Sequence, residues 1–187
     1  MASKPFYMEH LTQDLNSYEL KMFRVQHDET QLSSYLRKLA KKHEESSMNK
    51  IYLIRYSVTK QLVGWFGLKA ATLPYNENNE VFLSPAIELT HFAVDERFRT
   101  SKNTPEITRT GEYIFWNFIL PLVNDVAQKV ACKALFVFAI NHPKLVDYYK
   151  TKLGFKEIRV VDDKQFFEYA APDYDSGCKF LYFPLGK

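Results

Sequence analysis

Apolar residues recur along this chain with two periods, and the switches between them outline its elements. Leu32, Tyr35, Leu36 and Leu39 are spaced by three or four, which predicts a helix with one buried stripe. Asp28, with Gln31 three residues on, can form a capping box ahead of it. Its other side carries Arg37, Lys38, Lys41 and Lys42. The period then falls to two. Residues 51–58 and 62–69, parted by Thr59, Lys60 and Gln61, predict an antiparallel hairpin. Residues 74–85 are polar and predict a loop, with a short strand near Val81, Phe82 and Leu83. Alternation returns over 86–94. It places Glu88, Thr90, Phe92 and Val94 on one face, and Ile87, Leu89, His91 and Ala93 on the other.

Helical spacing resumes after a polar, basic stretch at 97–109 that contains Pro105. Ile114, Phe115, Phe118, Ile119, Leu122, Val126 and Val130 predict a helix from about Gly111 to Lys129. Pro121 lies inside it and should kink or divide it, because the ring removes a donor and crowds the preceding turn. Residues 134–140 are apolar throughout, as in a strand covered on both faces. Pro143 opens a helix where a missing N–H is harmless, and that helix ends before Gly154. Strands at 157–161, 166–169 and 179–184 complete the chain. Mixed strands and helices around a βαβ-like unit predict an α/β (α+β) fold. No repeat, low-complexity tract or long linker interrupts it, so one domain is expected over residues 1–187.

At 187 residues the chain is long enough to bury a core without disulfides or metals. Its 46% hydrophobic content excludes a disordered protein. A net charge of +3 permits an anionic partner and requires none. Cys132 and Cys178 lack CxxC spacing; Cys132, between a helix and a strand, reads as a small buried hydrophobe. No stretch reaches the ~18 apolar residues of a membrane span, and the N-terminus has no run of signal-peptide type. A cytoplasmic protein with no membrane contact is expected.

The chemistry concentrates in residues 86–155. The strand at 86–94 is followed by a helix opening at Arg109, Thr110, Gly111, Glu112 and Tyr113. Free N–H groups and the helix dipole favour an anion at such a position. The strand at 134–140 then leads through Asn141 to Tyr148, Tyr149 and Leu153-Gly154-Phe155. This order of strand, phosphate-binding turn, helix, second strand, asparagine, tyrosine and Gly-Phe resembles the GNAT superfamily of N-acetyltransferases.

The resemblance implies a mostly antiparallel central sheet flanked by helices, with one parallel pair that splays. It implies acetyl-CoA as co-substrate and no metal. In that family the turn reads Gln/Arg-x-x-Gly-x-Gly/Ala, about four residues after a Val-Asp pair. Here Val94-Asp95 is followed by Arg99, which matches the Arg position, and Gly111 matches the last glycine. The middle glycine is replaced, and an insertion parts the two ends. Arg99, Arg109, Thr110, Gly111, Glu112 and Tyr113 become candidates for the pyrophosphate. Backbone groups of Phe92, Ala93 and Val94 become candidates for the pantetheine arm and the thioester oxygen. Asn141 matches an asparagine that touches the cofactor. Read without the family, the Arg-Thr-Gly turn is a basic surface loop ending on glycine, and Asn141 is a cap ahead of Pro143.

Three side chains are candidates for proton transfer. Glu88 resembles the glutamate some GNAT enzymes use as general base, and an amine protonated at neutral pH needs one. Its bland reading is a partner for Lys or Arg across the sheet, or a solvent-facing acid at an edge. Tyr148 and Tyr149 compete to donate a proton to the departing CoA thiolate. The count from Asn141 favours Tyr148, and the count back from Phe155 favours Tyr149, which is preferred here. His91 falls on the opposite face from Glu88 and reads as a structural histidine. Gly154-Phe155 reads as a helix C-cap and core anchor.

Residues 32–40, 51–53 and 62–68 look like the first half of toxin-type GNAT proteins, which acetylate aminoacyl-tRNA. The acceptor implied is a primary amine, on a small molecule, a protein or an aminoacyl-tRNA, and the protein is expected as a monomer or a homodimer. The basic row from Arg37 to Lys42 would serve as a phosphate-contacting face or simply as a solvated one. The acidic, aromatic segment 168–175 favours a small cationic amine instead. Two other readings stand beside acetyl transfer. One is a related enzyme with another acyl donor, such as an acyl-homoserine-lactone synthase, suggested by the stretch 88–99. The other is a non-enzymatic CoA-binding protein whose loop has decayed.

Overall fold

Six strands follow one another across a single sheet: β1 (Phe6–His10), β2 (Lys50–Tyr56), β3 (Leu62–Glu77), β4 (Glu80–Val94), β5 (Ala134–Ile140) and β6 (Cys178–Pro184). β1–β2, β2–β3 and β5–β6 pair antiparallel. β4 and β5 are parallel, so the chain must cross over between them, and it does so through helix. The helices are α1 (Ser17–Met22), α2 (Leu32–Lys38), α3 (Ala40–Glu45), α4 (Thr110–Ile114), α5 (Leu120–Lys129) and α6 (Pro143–Thr151). The computed structural model describes residues 4–11, 17–26, 28, 31–77, 80–99, 107–157 and 177–186. The expected strands at 157–161 and 166–169, and the acidic segment 168–175, lie almost wholly outside them.

The chain divides into two compact units. The first comprises Met1–Lys69 and Thr90–Ile119. Strand alternation sorts its residues onto two faces. Ile51, Leu53 and Trp65 bury with Phe23, Leu36 and Ala40 from the α1–α3 side, and Ala93 joins them. On the other face stands Gly64, paired with Ile54. A Cβ there would meet the Ala93 carbonyl at 2.8 Å and Ile114 Cδ1 at 3.1 Å. Gly64 thus lets the end of β4 and the helix α4 approach β3 closely.

The second unit comprises Ala70–Leu89 and Leu120–Lys187. Ala86, Phe136 and Phe180 form its buried cluster, with Phe138 and Tyr182 packed against it. The Phe180 ring lies 5.5 Å from those of Phe136 and Phe138. Tyr149, Leu153 and Phe155, on and after α6, are also buried.

Two expectations need correction. Residues 74–85 are not mainly a loop: β3 runs to Glu77 and β4 starts at Glu80. Period and composition there pointed different ways. The capping box also differs. Asp28 accepts from the N–H groups of Leu32 (2.6 Å) and Ser33 (2.9 Å), while Gln31 sits at φ 55° with no capping side-chain bond. A left-handed residue between cap and helix lets Asp28 reach in from one position further back. The helix expected to be divided near Pro121 is divided there. A π-helical turn, Phe115–Ile119, stands between α4 and α5 and places the irregular hydrogen bonding just ahead of the proline.

Candidate active site

In the first unit, Phe92, Ala93 and Val94 end β4, and a 3₁₀ turn, Glu96–Phe98, follows. Arg109 precedes the first residue of α4, and its carbonyl accepts the Tyr113 N–H at 3.0 Å. The N–H groups of Thr110, Gly111 and Glu112 thus precede the first internal bond of the helix. No side chain caps this end among the described residues. The Thr110 hydroxyl turns away and donates to the Phe98 carbonyl at 2.5 Å. Arg109 pairs with Glu112 at 3.1 Å. Arg99 reaches Gln26 at 2.8 Å. The stretch 100–106, most of the expected insertion, lies outside the described residues. A helix start with donors uncapped and a small, half-buried Gly111 beside them fits a diphosphate.

The second unit holds the other candidates. Its β4–β5 register contains Ala86↔Ala134, Ile87↔Leu135 and Glu88↔Phe136 among the described residues. β5 itself continues to Ile140. Glu88 is only 3% exposed, which overturns its reading as a solvent-facing acid at an edge. Asn141 is exposed, and its N–H bonds to the Gly177 carbonyl at 2.9 Å. It does not cap α6: His142 occupies the N-cap, without a side-chain bond, because Pro143 takes the first helical position.

Tyr149 is 7% exposed, its ring edge-on to Phe155 at 5.3 Å and to Tyr148 at 6.1 Å. Burial, with Tyr148 beside it, pushes its hydroxyl above the ordinary tyrosine range, so it stays protonated at any working pH. Tyr148 is half-buried. Gly154 at φ 79° ends the helix, and the buried Phe155 sends its N–H to the Tyr149 carbonyl at 3.0 Å.

Two features escaped the sequence reading. Asn49, at the start of β2, sends its amide to Thr90 Oγ1 (2.7 Å) and Tyr35 Oη (3.2 Å). Thr90 Oγ1 lies 3.0 Å from His91 Nδ1, and Tyr35 Oη lies 2.9 Å from His43 Nδ1. Strict alternation separates Thr90 from His91, yet both reach Asn49. Gly67 explains this, since a Cβ there would crowd Thr90 Oγ1 at 2.6 Å and Asn49 Nδ2 at 3.0 Å. His91 also stacks on Tyr35 at 3.8 Å. Burial first, then the nearby His43 and Lys69, lowers its pKa to about 4, so it is neutral and structural as expected. The second feature is Asp95, fully buried and bonded to Arg97 through both carboxylate oxygens at 2.7 and 2.8 Å. Its place after Val94 was the only sequence signal.

Strand order, the parallel β4–β5 pair and flanking helices together make a GNAT-like fold. No family model matches the chain, and no curated protein sequence does. Solved structures do match. The chain is similar to a tyrosine-to-phenylalanine variant of the AtaT toxin bound to the C-terminus of the antitoxin AtaR and acetyl-CoA. That likeness has a TM-score of 0.66 at 18% identity and covers 97% of this chain and 94% of that one. AtaT complexed with acetyl-methionyl-tRNAfMet matches with a TM-score of 0.66 at 18% identity, over 96% and 94%. A tyrosine-to-phenylalanine variant of KacT matches with a TM-score of 0.65 at 15% identity, over 97% and 95%. Identity at this level establishes the fold, and what those proteins hold is theirs. Among the described residues, no helix is long and apolar enough to cross a membrane.

Proposed function

We propose that this chain transfers the acetyl group of acetyl-CoA to a primary amine, the amino group of an aminoacyl-tRNA being the favoured acceptor. The observation that carries the reading is the start of α4, where Thr110, Gly111 and Glu112 precede the first internal hydrogen bond and the N-cap residue, Arg109, makes no capping side-chain bond. Those donors suit the coenzyme diphosphate. Full-length likeness to AtaT, which is found with acetyl-CoA and with acetyl-methionyl-tRNA, supports the same donor and favours the same class of acceptor.

In this reading Glu88 takes a proton from the substrate ammonium, and the freed amine attacks the thioester carbonyl. The carbon–sulfur bond then breaks, the leaving thiolate takes the tyrosine proton, and the second proton of the attacking nitrogen passes through solvent to restore the tyrosine, leaving the amide. Tyr149 is favoured over Tyr148 for that step by the count back from Phe155.

Titration calorimetry with acetyl-CoA, followed by acetyl transfer to aminoacyl-tRNA and to small amines, tests this. Wild type should bind acetyl-CoA, and Tyr149→Phe should slow transfer by about 10²- to 10³-fold, the usual worth of a general acid. Loss on Tyr148→Phe instead would move the acid to that residue. Glu88→Gln should slow transfer most below neutral pH; an unchanged profile removes Glu88 from the mechanism. Absence of acetyl-CoA binding at tens of micromolar defeats the whole reading. Preference for long acyl chains defeats the acetyl assignment.

A further inference from the structure

The turn that would receive the diphosphate lacks the middle glycine of the family pattern, so something other than a glycine loop must set its position. Within the first unit that support can be traced. Asp95 leaves β4 with its N–H on the Val63 carbonyl at 2.8 Å, which anchors it to β3. Its side chain accepts from the Arg97 N–H at 2.9 Å, from both arms of the Arg97 guanidinium, and from the Arg24 N–H at 3.3 Å. The Asp95 carbonyl accepts from the Phe98 N–H at 2.9 Å, closing the 3₁₀ turn. Phe98, itself buried, offers its carbonyl to the Thr110 hydroxyl, which is 1% exposed. Phe98 and Thr110 stand on either side of residues 99–109, and this bond ties the 3₁₀ turn to the first residue of α4.

We propose that Asp95 is a positioning residue for the coenzyme site. Acting through the 3₁₀ turn and Thr110, it fixes where the first turn of α4 presents its N–H groups. The inference rests on the acetyl-CoA reading above and adds a residue that touches neither the coenzyme nor the acceptor. A buried carboxylate is tolerated only where its partners are fixed. Four donors converge on this one, so the turn has a single arrangement. Replacement by asparagine keeps the shape but turns an NH₂ toward the Arg97 donors, and the turn loosens.

The test uses wild type, Asp95→Asn, Thr110→Val, Thr110→Ser and the double variant Asp95→Asn with Thr110→Val. Calorimetry with coenzyme A gives Kd, and thermal unfolding gives Tm. The KM for acetyl-CoA and kcat are measured on the same proteins. Asp95→Asn and Thr110→Val should each weaken coenzyme A binding about fivefold to tenfold, the worth of one buried hydrogen bond. Thr110→Ser, which keeps the hydroxyl, should bind as wild type does. The double variant should bind no more weakly than the worse single, because both changes break one support. For Asp95→Asn the loss should fall on KM, with kcat at saturation within about twofold of wild type.

A lowered Tm with unchanged Kd would make Asp95 merely structural and overturn the proposal. Additive losses in the double variant would overturn it too. If Asp95→Asn fails to fold, the pair Thr110→Val and Thr110→Ser still decides, since equal Kd values for these two sink the idea. Wild type that binds no coenzyme A is a different result and removes the acetyl-CoA reading itself.

Discussion

The unit that carries the α4 turn buries Ser33, Asn49, Asp95 and Thr110, and each has a hydrogen-bond partner. The unit that carries Tyr149 buries, among the described residues, two polar side chains, Ser84 and Glu88, and centres one cluster on Ala86, Phe136 and Phe180, with the rings of Phe138 and Tyr182 against it. Each unit also has one exception. Trp65 Nε1 in the first unit and Ser84 Oγ in the second are buried without a hydrogen-bond partner among the described residues. Hydrogen bonds have direction, so the first unit holds backbone groups in one geometry. Ring packing is adaptable but depends on volume. The two units should therefore fail under different kinds of substitution.

The largest effect expected is in the ring cluster of the second unit. Phe136 is buried against Phe138 and Phe180, and Phe136→Ala should cost about 4 kcal/mol through lost burial and the cavity left behind. Urea titration measures it, and Phe136→Leu should recover more than half. A cost below about 1 kcal/mol would mean that the cluster collapses to fill the space, contrary to the contrast drawn here.

The hydrogen-bonded unit should instead respond to pH. His91 titrates near 4 in the folded protein, below the ordinary value of 6.5. The unfolded chain therefore binds this proton more readily, and protonation favours unfolding. Stability is intact above pH 6.5 and falls as the pH drops from there toward 4, by roughly 3 kcal/mol in all. Carboxylates titrate in the lower part of the same window, so the useful quantity is the difference between wild type and His91→Gln. That difference should narrow as pH falls. A constant difference would show that His91 carries no buried-imidazole penalty.

Gly64→Ala comes next. The new Cβ would sit 2.8 Å from the Ala93 carbonyl, a backbone atom that cannot swing aside. A cost of about 2 kcal/mol is expected from forced separation of β3 and β4. Amide exchange should report it at β3 and β4 in the first unit, leaving the Phe136 cluster protected.

Most of the fold was legible because long periodic segments announce themselves. The hairpin of β2 and β3, the apolar β5 and the proline-led α6 stand where spacing predicted them. The hairpin tip was misread because 74–85 gains its strand character from pairing, which composition does not encode. The Asn49 network was illegible for a related reason. Its members are far apart in sequence, and their meeting depends on Gly67 having no side chain. Of the candidate site, the α4 turn and the tyrosine pair could be picked out by their order along the chain. Asp95 could not, because a carboxylate after a strand looks the same whether it is solvated or fully buried.

The smallest expected effect tests the turn most directly. Arg109 and Glu112 form an i,i+3 pair at the start of α4, with the arginine well exposed. Such pairs contribute about 0.5 kcal/mol or less, so neither Arg109→Gln nor Glu112→Gln should move the unfolding midpoint appreciably. Their effects on coenzyme A binding should have opposite signs. Removing Arg109 leaves the Glu112 carboxylate unscreened beside the donors and should weaken binding about twofold to threefold at low salt. Removing Glu112 takes an anion away from the same place and should strengthen binding by a similar factor. Both effects should fade at high salt, because the pair is solvated. Equal effects of one sign would mean that coenzyme A is not held at this helix start, and the fixed geometry of the first unit would then need another purpose.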